Sequence, residues 1–478
     1  MIKVYVDWGV MSQIKHGQHP ELLQLLQRKQ QLYVIYSTSH ISDILVSHNG
    51  EEEQNQRIKS DLDFITSLTD NWCAHIAENE IMIRQRNPHE LFDDRVDERS
   101  EYGEEGPLSY LSRLLEPNSA AHNALQQYLD SPITEAIASG YSTPSAAAGM
   151  ERHYPGLQEN PSMGNLMKIS WLKNKEMEET DAYKGMREMV QGGLGLNKDK
   201  MFAKDDPFAA IDKLYSNIKE LTGFDIYNIL RNDNSPSWFQ DISHNYLLLD
   251  VHGYQQDKIK VDARNKDTMR NTIDDGFHAA FASTCDFYIT NDSRSANKAK
   301  QVYQKLKLNT RICSPGEFVI YGNQSLVYDD PKMHVRLWCS LLNSPDYNES
   351  VVDDATWRTY LLEFFLFDYF NKVFVVFAPE NKQPMIILSK NKPTNYRITT
   401  ELDVKAVIQK TNTAFDGFGT ERIDPEKVTS LENLQFKWQV EQTTFRLQMM
   451  NGYLQLYMDL PDEFPAATPE TNNTQDNV

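Results

Sequence analysis

Residues 2–7, IKVYVD, alternate apolar and polar side chains and close on Asp7. A period of two predicts a β-strand that carries an acid to its carboxyl end. Positions 22–30 follow a helical pattern, and 32–36 read as a second strand. Ser37, Thr38 and Ser39 come next, a hydroxyl cluster suited to cap a helix that carries Asp43. Helical spacing recurs at 57–69 and 78–85, and then at 108–115, 120–129, 163–175, 182–191, 207–221 and 224–230. Residues 239–251, FQDISHNYLLLDV, become apolar at their end and read as a return toward the first part of the chain.

The densest pattern is 274–294, DDGFHAAFASTCDFYITNDSR. Phe277, Ala280, Phe281 and Cys285 fall near a 3.6-residue period and predict a helix, with Asp274 and Asp275 at its start. Residues 287–290 are aromatic and β-branched, hence a strand, and lead into Asn291 and Asp292. A helix over 298–306 and a final strand and turn over 311–318 follow. In open α/β sheets, ligands gather at the carboxyl ends of strands, where Asp7 and Asp292 are expected.

The pattern changes after residue 322. Aromatic-rich helices are predicted at 335–342 and 357–369. Strands are predicted at 372–378, 385–389, 396–400, 435–441, 443–449 and 453–458, with Asn451-Gly452 as a hairpin turn between the last two. Residues 323–462 therefore read as an α+β domain, and the Pro/Thr/Asn-rich tail 463–478 as disordered.

Composition narrows the function classes. The chain has 478 residues and a net charge of −20, which opposes passive wrapping of nucleic acid but not a nuclease whose acids bind cations. No apolar run approaches the roughly 20 residues that span a bilayer. The amino terminus lacks a signal-peptide pattern. Cys73, Cys285, Cys313 and Cys339 form no CxxC pair, so free thiols in a reducing, cytoplasmic setting are expected and a zinc site is not. Gly192-Gly193-Leu194-Gly195 has no clear strand before it and no Gly-Lys-Ser/Thr after it, so it reads as a helix end and loop rather than a phosphate loop.

Asp275, His278, Asp286, Thr290, Asn291 and Asp292 stand in the order acid-x-x-His, small-residue helix, Asp, hydrophobic strand, Thr-Asn-Asp. This order resembles the closing half of a PIN-type nuclease domain. Asp7, the Ser/Thr cluster and Asp43 resemble the opening half. The resemblance implies an α/β fold with a PIN-like three-layer core and a central, mainly parallel sheet, built from 1–85 and 256–322. A mostly helical insertion over 86–255 would separate the halves, and the α+β domain would follow.

The resemblance also implies a Mg2+- or Mn2+-dependent endonuclease that acts on RNA in preference to DNA. Catalytic positions would be Asp7, Asp43, Asp275 and Asp292. Asp7, Asp275 and Asp292, with Asp274, would hold metal, and Thr290, Asn291, His278 and Ser37 would support them. The family usually has Glu where this chain has Asp43, and the shorter side chain favours contact through water. His278 is expected to be a hydrogen-bond partner rather than a general base. Nucleic acid is the expected partner and a membrane is not; a second copy or a regulatory protein stays open. The large insertion suggests, by analogy, a bacterial toxin or antiviral defence effector. A non-catalytic PIN-like scaffold and a structure-specific DNA nuclease are the alternatives.

Overall fold

The computed structural model describes residues 1–46, 51–102, 115–133, 154–194, 206–222, 226–228, 235–261, 266–326, 330–342, 344–381, 383–391, 400–428 and 434–460, with a few isolated residues. The chain opens with β1 (Ile2–Val6), α1 (Trp8–Lys15), α2 (Pro20–Leu26), β2 (Leu32–Ser37) and α3 (Thr38–Val46). Then come α4 (Glu52–Thr69), a hairpin of β3 (Trp72–Ala77) and β4 (Glu80–Gln85), and α5 (Pro88–Tyr102). Helices α6 (Ala120–Leu129), α7 (Met163–Glu179), α8 (Ala182–Gly193), α9 (Pro207–Thr222) and α10 (Ser237–Val251) follow. The short strands β5 (Lys260–Val261) and β6 (Lys266–Asp267) precede α11 (Met269–Ala282), β7 (Phe287–Ile289), α12 (Ser293–Leu306), β8 (Arg311–Cys313) and α13 (Pro315–Ser325). The rest is α14 (Pro331–Leu341), β9 (Asn348–Val352), β10 (Ala355–Leu366), β11 (Phe370–Phe377), β12 (Met385–Ser389), α15 (Glu401–Ala414), β13 (Gln435–Val440), β14 (Thr443–Met450) and β15 (Tyr453–Asp459).

The fold is mixed α/β, and the chain divides into two compact units. One comprises residues 1–36, 281–291 and the chain from 307 onward; the other comprises 37–280 and 292–306.

In the first unit β2, β1, β7 and β8 pair in that order, all parallel, with Val4 opposite Val34 and Phe287. Every residue of β1 and β7 is buried, as parallel strands covered on both faces require. Helix α13 packs on α2 closely enough that a Cβ at Gly322 would lie 2.6 Å from Leu25 Cδ1. The same unit contains a seven-stranded antiparallel sheet in the order β13-β14-β15-β12-β11-β10-β9. Its core includes Trp338, Tyr369, Val404, Trp438 and Leu456. Buried ion pairs join its parts: Lys3 to Asp403 at 2.7 Å and Lys390 to Asp286 at 2.8 Å.

In the second unit α10 packs on α12, and α3 on α5. Gly276 of α11 faces Ser243 O and Tyr246 Cδ1, where a Cβ would stand 3.4 Å from each. The hairpin between β3 and β4 turns on Glu78 and Asn79, both at positive φ. Among the described residues no helix is long and apolar enough to cross a membrane.

Several elements differ from the sequence pattern. Residues 357–369 do not form a helix; most lie in β10, where Trp357, Tyr360 and their neighbours pair with β9 and β11. Aromatic and β-branched residues suit that pleated surface, and two flanking strands outweigh local helical spacing. Residues 80–85 are strand β4, because Ile81 and Ile83 alternate inward. Residues 239–251, for which the sequence pattern suggests only a return toward the core, lie in helix α10. Asp274 and Asp275 lie in the second turn of α11, which starts at Met269. Residues 315–325 extend the expected turn into a helix with a Ser314/Glu317 capping box.

Other elements agree: β1, the α12 helix, and the β14–β15 hairpin with Asn451 and Gly452 both at positive φ. Residues 108–114, 396–399 and the tail 463–478 lie outside the described residues, as do Gly195 and all of 224–230 but the short helical turn Ile226–Asn228.

Candidate active site

Asp7 closes β1 in the first unit. Its backbone N–H donates to Ile289 O at 2.9 Å, and its carbonyl accepts from Val10 and Met11, which starts α1. The pairing of β1 with β7 brings Thr290 beside it, and the buried Thr290 hydroxyl donates to Asp7 Oδ2 at 3.1 Å. Asn291 is exposed and donates through Nδ2 to Gln13 Oε1 at 3.3 Å. Asp7 and Thr290 thus meet, and Asn291 turns to α1.

In the second unit Ser37 caps α3: its hydroxyl accepts from Ser39 N–H at 3.2 Å. The Ser37 N–H donates to His40 Nδ1 at 3.0 Å, so the proton of a neutral His40 ring sits on Nε2. Asp43 lies one turn further along α3. Its Oδ2 is 2.8 Å from His278 Nε2 on α11, and the His40 and His278 rings meet edge to face at 4.9 Å. His278 is therefore the hydrogen-bond partner of Asp43.

Asp274 is one turn before His278 and is buried. Burial, and then the nearby Asp43 carboxylate, push its carboxyl up to about 7; Arg270, with Nε 3.7 Å from Asp274 Oδ2, and His278 oppose the shift. Two acids that compete for charge in a confined place are a feature of functional sites.

The next residue, Asp275, lines a separate pocket of about 300 Å³. Asp257, Asp267 and Asp292 line it as well, with Lys258 and Arg294 as cations. Asp292 is the N-cap of α12: Oδ1 accepts from Arg294 N–H at 2.7 Å and from Ser295 N–H at 3.2 Å.

Asp257 escaped the sequence reading because a buried network places it. Its carboxylate is 2.6 Å from Lys298 Nζ on α12, and its N–H donates to Asp250 Oδ1 at 2.7 Å. Asp250, on α10, accepts from Arg187 Nη1 of α8 at 2.7 Å and from the Tyr183 hydroxyl at 3.1 Å. Lys298 also reaches Asp250 at 3.2 Å and sits over the Tyr246 ring. Arg187 and Lys298 offset Asp250 and Asp257, so the buried charges balance. The helix capped by Asp292 is thereby tied to α8 and α10. Lys305, at its far end, lies over the Phe208 and Tyr227 rings and ties it to α9 as well.

No protein-family model, curated protein or solved structure matches this chain. Its chemistry must therefore be read from its own side chains.

Among the described residues no group of three His, Cys, Asp or Glu side chains stands ready-made to hold a metal ion. The donors lining the Asp275–Asp292 pocket are nonetheless carboxylate, hydroxyl and amide oxygens, with no thiolate or imidazole. That set fits a hard cation, and Mg2+ in particular uses only one or two carboxylates and keeps several waters.

Proposed function

We propose that the chain is a metal-dependent endonuclease of the PIN type that hydrolyses phosphodiester bonds, RNA in preference to DNA. The observation that carries this reading is the oxygen-lined pocket in which Asp275 and Asp292 meet two further carboxylates. Asp275 and Asp292 would hold Mg2+ or Mn2+, with Asp257 and Asp267 lining the same pocket. The cation would supply Lewis acidity toward the phosphodiester and offset the clustered negative charge.

The chain's own groups orient and hold. Thr290 fixes the Asp7 carboxylate, and His278 fixes Asp43. The α12 cap holds Asp292 in one orientation. Lys258 and Arg294, which line the same pocket, would offer positive charge to a phosphate. The reading is tested with matched RNA and DNA strands in Mg2+ or Mn2+, with and without a chelator. Metal-dependent cleavage that is faster on RNA supports it, and faster cleavage of DNA favours the structure-specific DNA nuclease.

A second reading has an observation in its favour. Asp43 is paired with His278 and Asp292 already caps a helix, so each has a structural task. On that reading the chain is a PIN-like scaffold without catalysis. Mn2+-dependent RNA cleavage that disappears in Asp275→Asn/Asp292→Asn would exclude it.

A further inference from the structure

A large cleft in the first unit lies far from Asp7. It has a volume of about 1040 Å³ and opens between the amino ends of β1 and β2, helix α15 and the stretch 422–426. Met1, Lys29 and Tyr33 line its strand side. Asp7 is at the other end of β1, and five residues at roughly 3.3 Å each put about 16 Å of strand between them. The cleft is therefore a place of its own.

Its charge runs against that of the whole chain. The chain carries 48 Lys and Arg against 68 Asp and Glu. The cleft is lined by Lys29, Lys405, Lys410 and Arg422 against only Asp424 and Glu426. Lys405, Gln409 and Thr413 recur every fourth residue, so α15 presents one polar stripe to the cleft while Val404, Val407 and Ile408 pack into the core.

The cations differ in how firmly they are held. Lys410 is committed to the buried carboxylate of Asp368. Lys405 pairs with Glu426 at 2.6 Å and Arg422 with Asp416 at 3.2 Å, and both acids are well exposed. Exposed pairs contribute about 0–1 kcal/mol, so an incoming anion can replace those acids at little cost. An Arg fork beside Lys ammonium groups suits phosphate oxygens. Tyr33 adds an aromatic wall, and the volume leaves room for a ligand of nucleotide size.

We propose that this cleft binds a phosphate-bearing ligand of nucleotide size, held by Lys405, Arg422 and Lys29, at a site separate from the acidic one. The phosphate can belong to a free nucleotide or to the end of an RNA strand. Its position, walled by the N-terminal strands and the C-terminal helix α15 together, makes it a place where a small ligand bridges two parts of one unit. The proposal does not depend on nuclease activity, because binding alone is its readout.

The test is calorimetric titration of the full chain with three probes: ATP, inorganic triphosphate and a 5′-phosphorylated RNA trinucleotide. Wild type is expected to bind ATP or the trinucleotide once, with a sub-millimolar Kd, and the stronger of the two names the source. Lys405→Glu/Arg422→Glu is expected to weaken that binding about tenfold or more, with thermal unfolding close to wild type. Lys29→Glu, on a different segment, gives an independent loss should the double variant fold poorly. No binding by wild type with any probe overturns the proposal. Unchanged affinity in a folded Lys405→Glu/Arg422→Glu or in Lys29→Glu also overturns it.

Discussion

Asp403 and Asp274 are both buried carboxylates, one in each unit, and their surroundings move them in opposite directions. Burial alone would raise Asp403, but Lys3, the Met1 ammonium and Lys390 more than offset it and hold the carboxyl far below its usual range. Asp403 bonds to Lys3 and to Met1, while Asp286, beside it, takes Lys390 and the Lys3 N–H. No predicted site residue takes part. Asp274 has a long contact to Arg270 and the nearby His278 in its favour, but burial and the Asp43 carboxylate outweigh them and its carboxyl rises to about 7. An acid surrounded by cations is part of the fold's framework. An acid set against another acid is held in place by the rest of the fold, and that arrangement is useful when a cation or a proton is to be handled there.

The largest expected effect lies on the framework side. Asp403→Asn leaves Lys3 buried without its charge partner and should cost about 3–5 kcal/mol in urea unfolding at pH 7. A loss below about 1 kcal/mol would erase the contrast. Because the folded-state pKa of Asp403 is depressed, its contribution is present above the unfolded value of about 3.8 and disappears as the pH falls.

Asp274 should behave in the opposite way. Its folded-state pKa exceeds the unfolded value, so the native state binds the extra proton between pH 3.8 and about 7. Stability from this group is therefore full below pH 3.8 and is lost as the pH rises to about 7. Asp274→Asn should remove that slope, a difference on the order of 1–4 kcal/mol between the two ends of the window. The measurement is chelator-treated unfolding of both proteins across that range. Parallel profiles would place Asp274 in an ordinary environment.

Two smaller effects sharpen the comparison. Asp257→Asn should weaken Mn2+ binding about three- to tenfold, roughly 0.7–1.4 kcal/mol. Its stability cost should be well below that of Asp403→Asn, since Lys298 keeps Asp250. An unchanged Mn2+ isotherm would remove Asp257 from the pocket's function. Thr290→Val deletes the hydroxyl that bonds Asp7 and should cost about 1 kcal/mol of stability. A neutral result in thermal unfolding would mean that Asp7 finds an equal partner elsewhere.

The local parts of this picture were legible in the sequence. β1 with its terminal Asp7, the strand before Asp292, and the Asn451-Gly452 hairpin follow from side-chain period and turn chemistry over a few residues. The Asp43–His278 bond was partly legible, since His278 was read as a hydrogen-bond partner without its mate. What escaped is non-local. Lys3 meets Asp403 across 400 positions, and Asp250 gathers Arg187 and Lys298 from two other helices. Charges that pair only after folding leave no periodic signature. β10 departs from its sequence pattern for a related reason: its aromatic spacing suits a helix locally, and its strand form rests on partners from β9 and β11. Asp257 and Asp267, in turn, stand among ordinary polar residues with no motif around them.

The most direct test of the central claim is cleavage of end-labelled single-stranded RNA in Mn2+ by wild type and by Asp292→Asn. Asn is as good a helix cap as Asp, so the variant keeps α12 in place while removing the charge. The account predicts metal-dependent cutting by wild type and its loss in Asp292→Asn. Equal cutting by both proteins, or none by wild type that binds Mn2+, would contradict it.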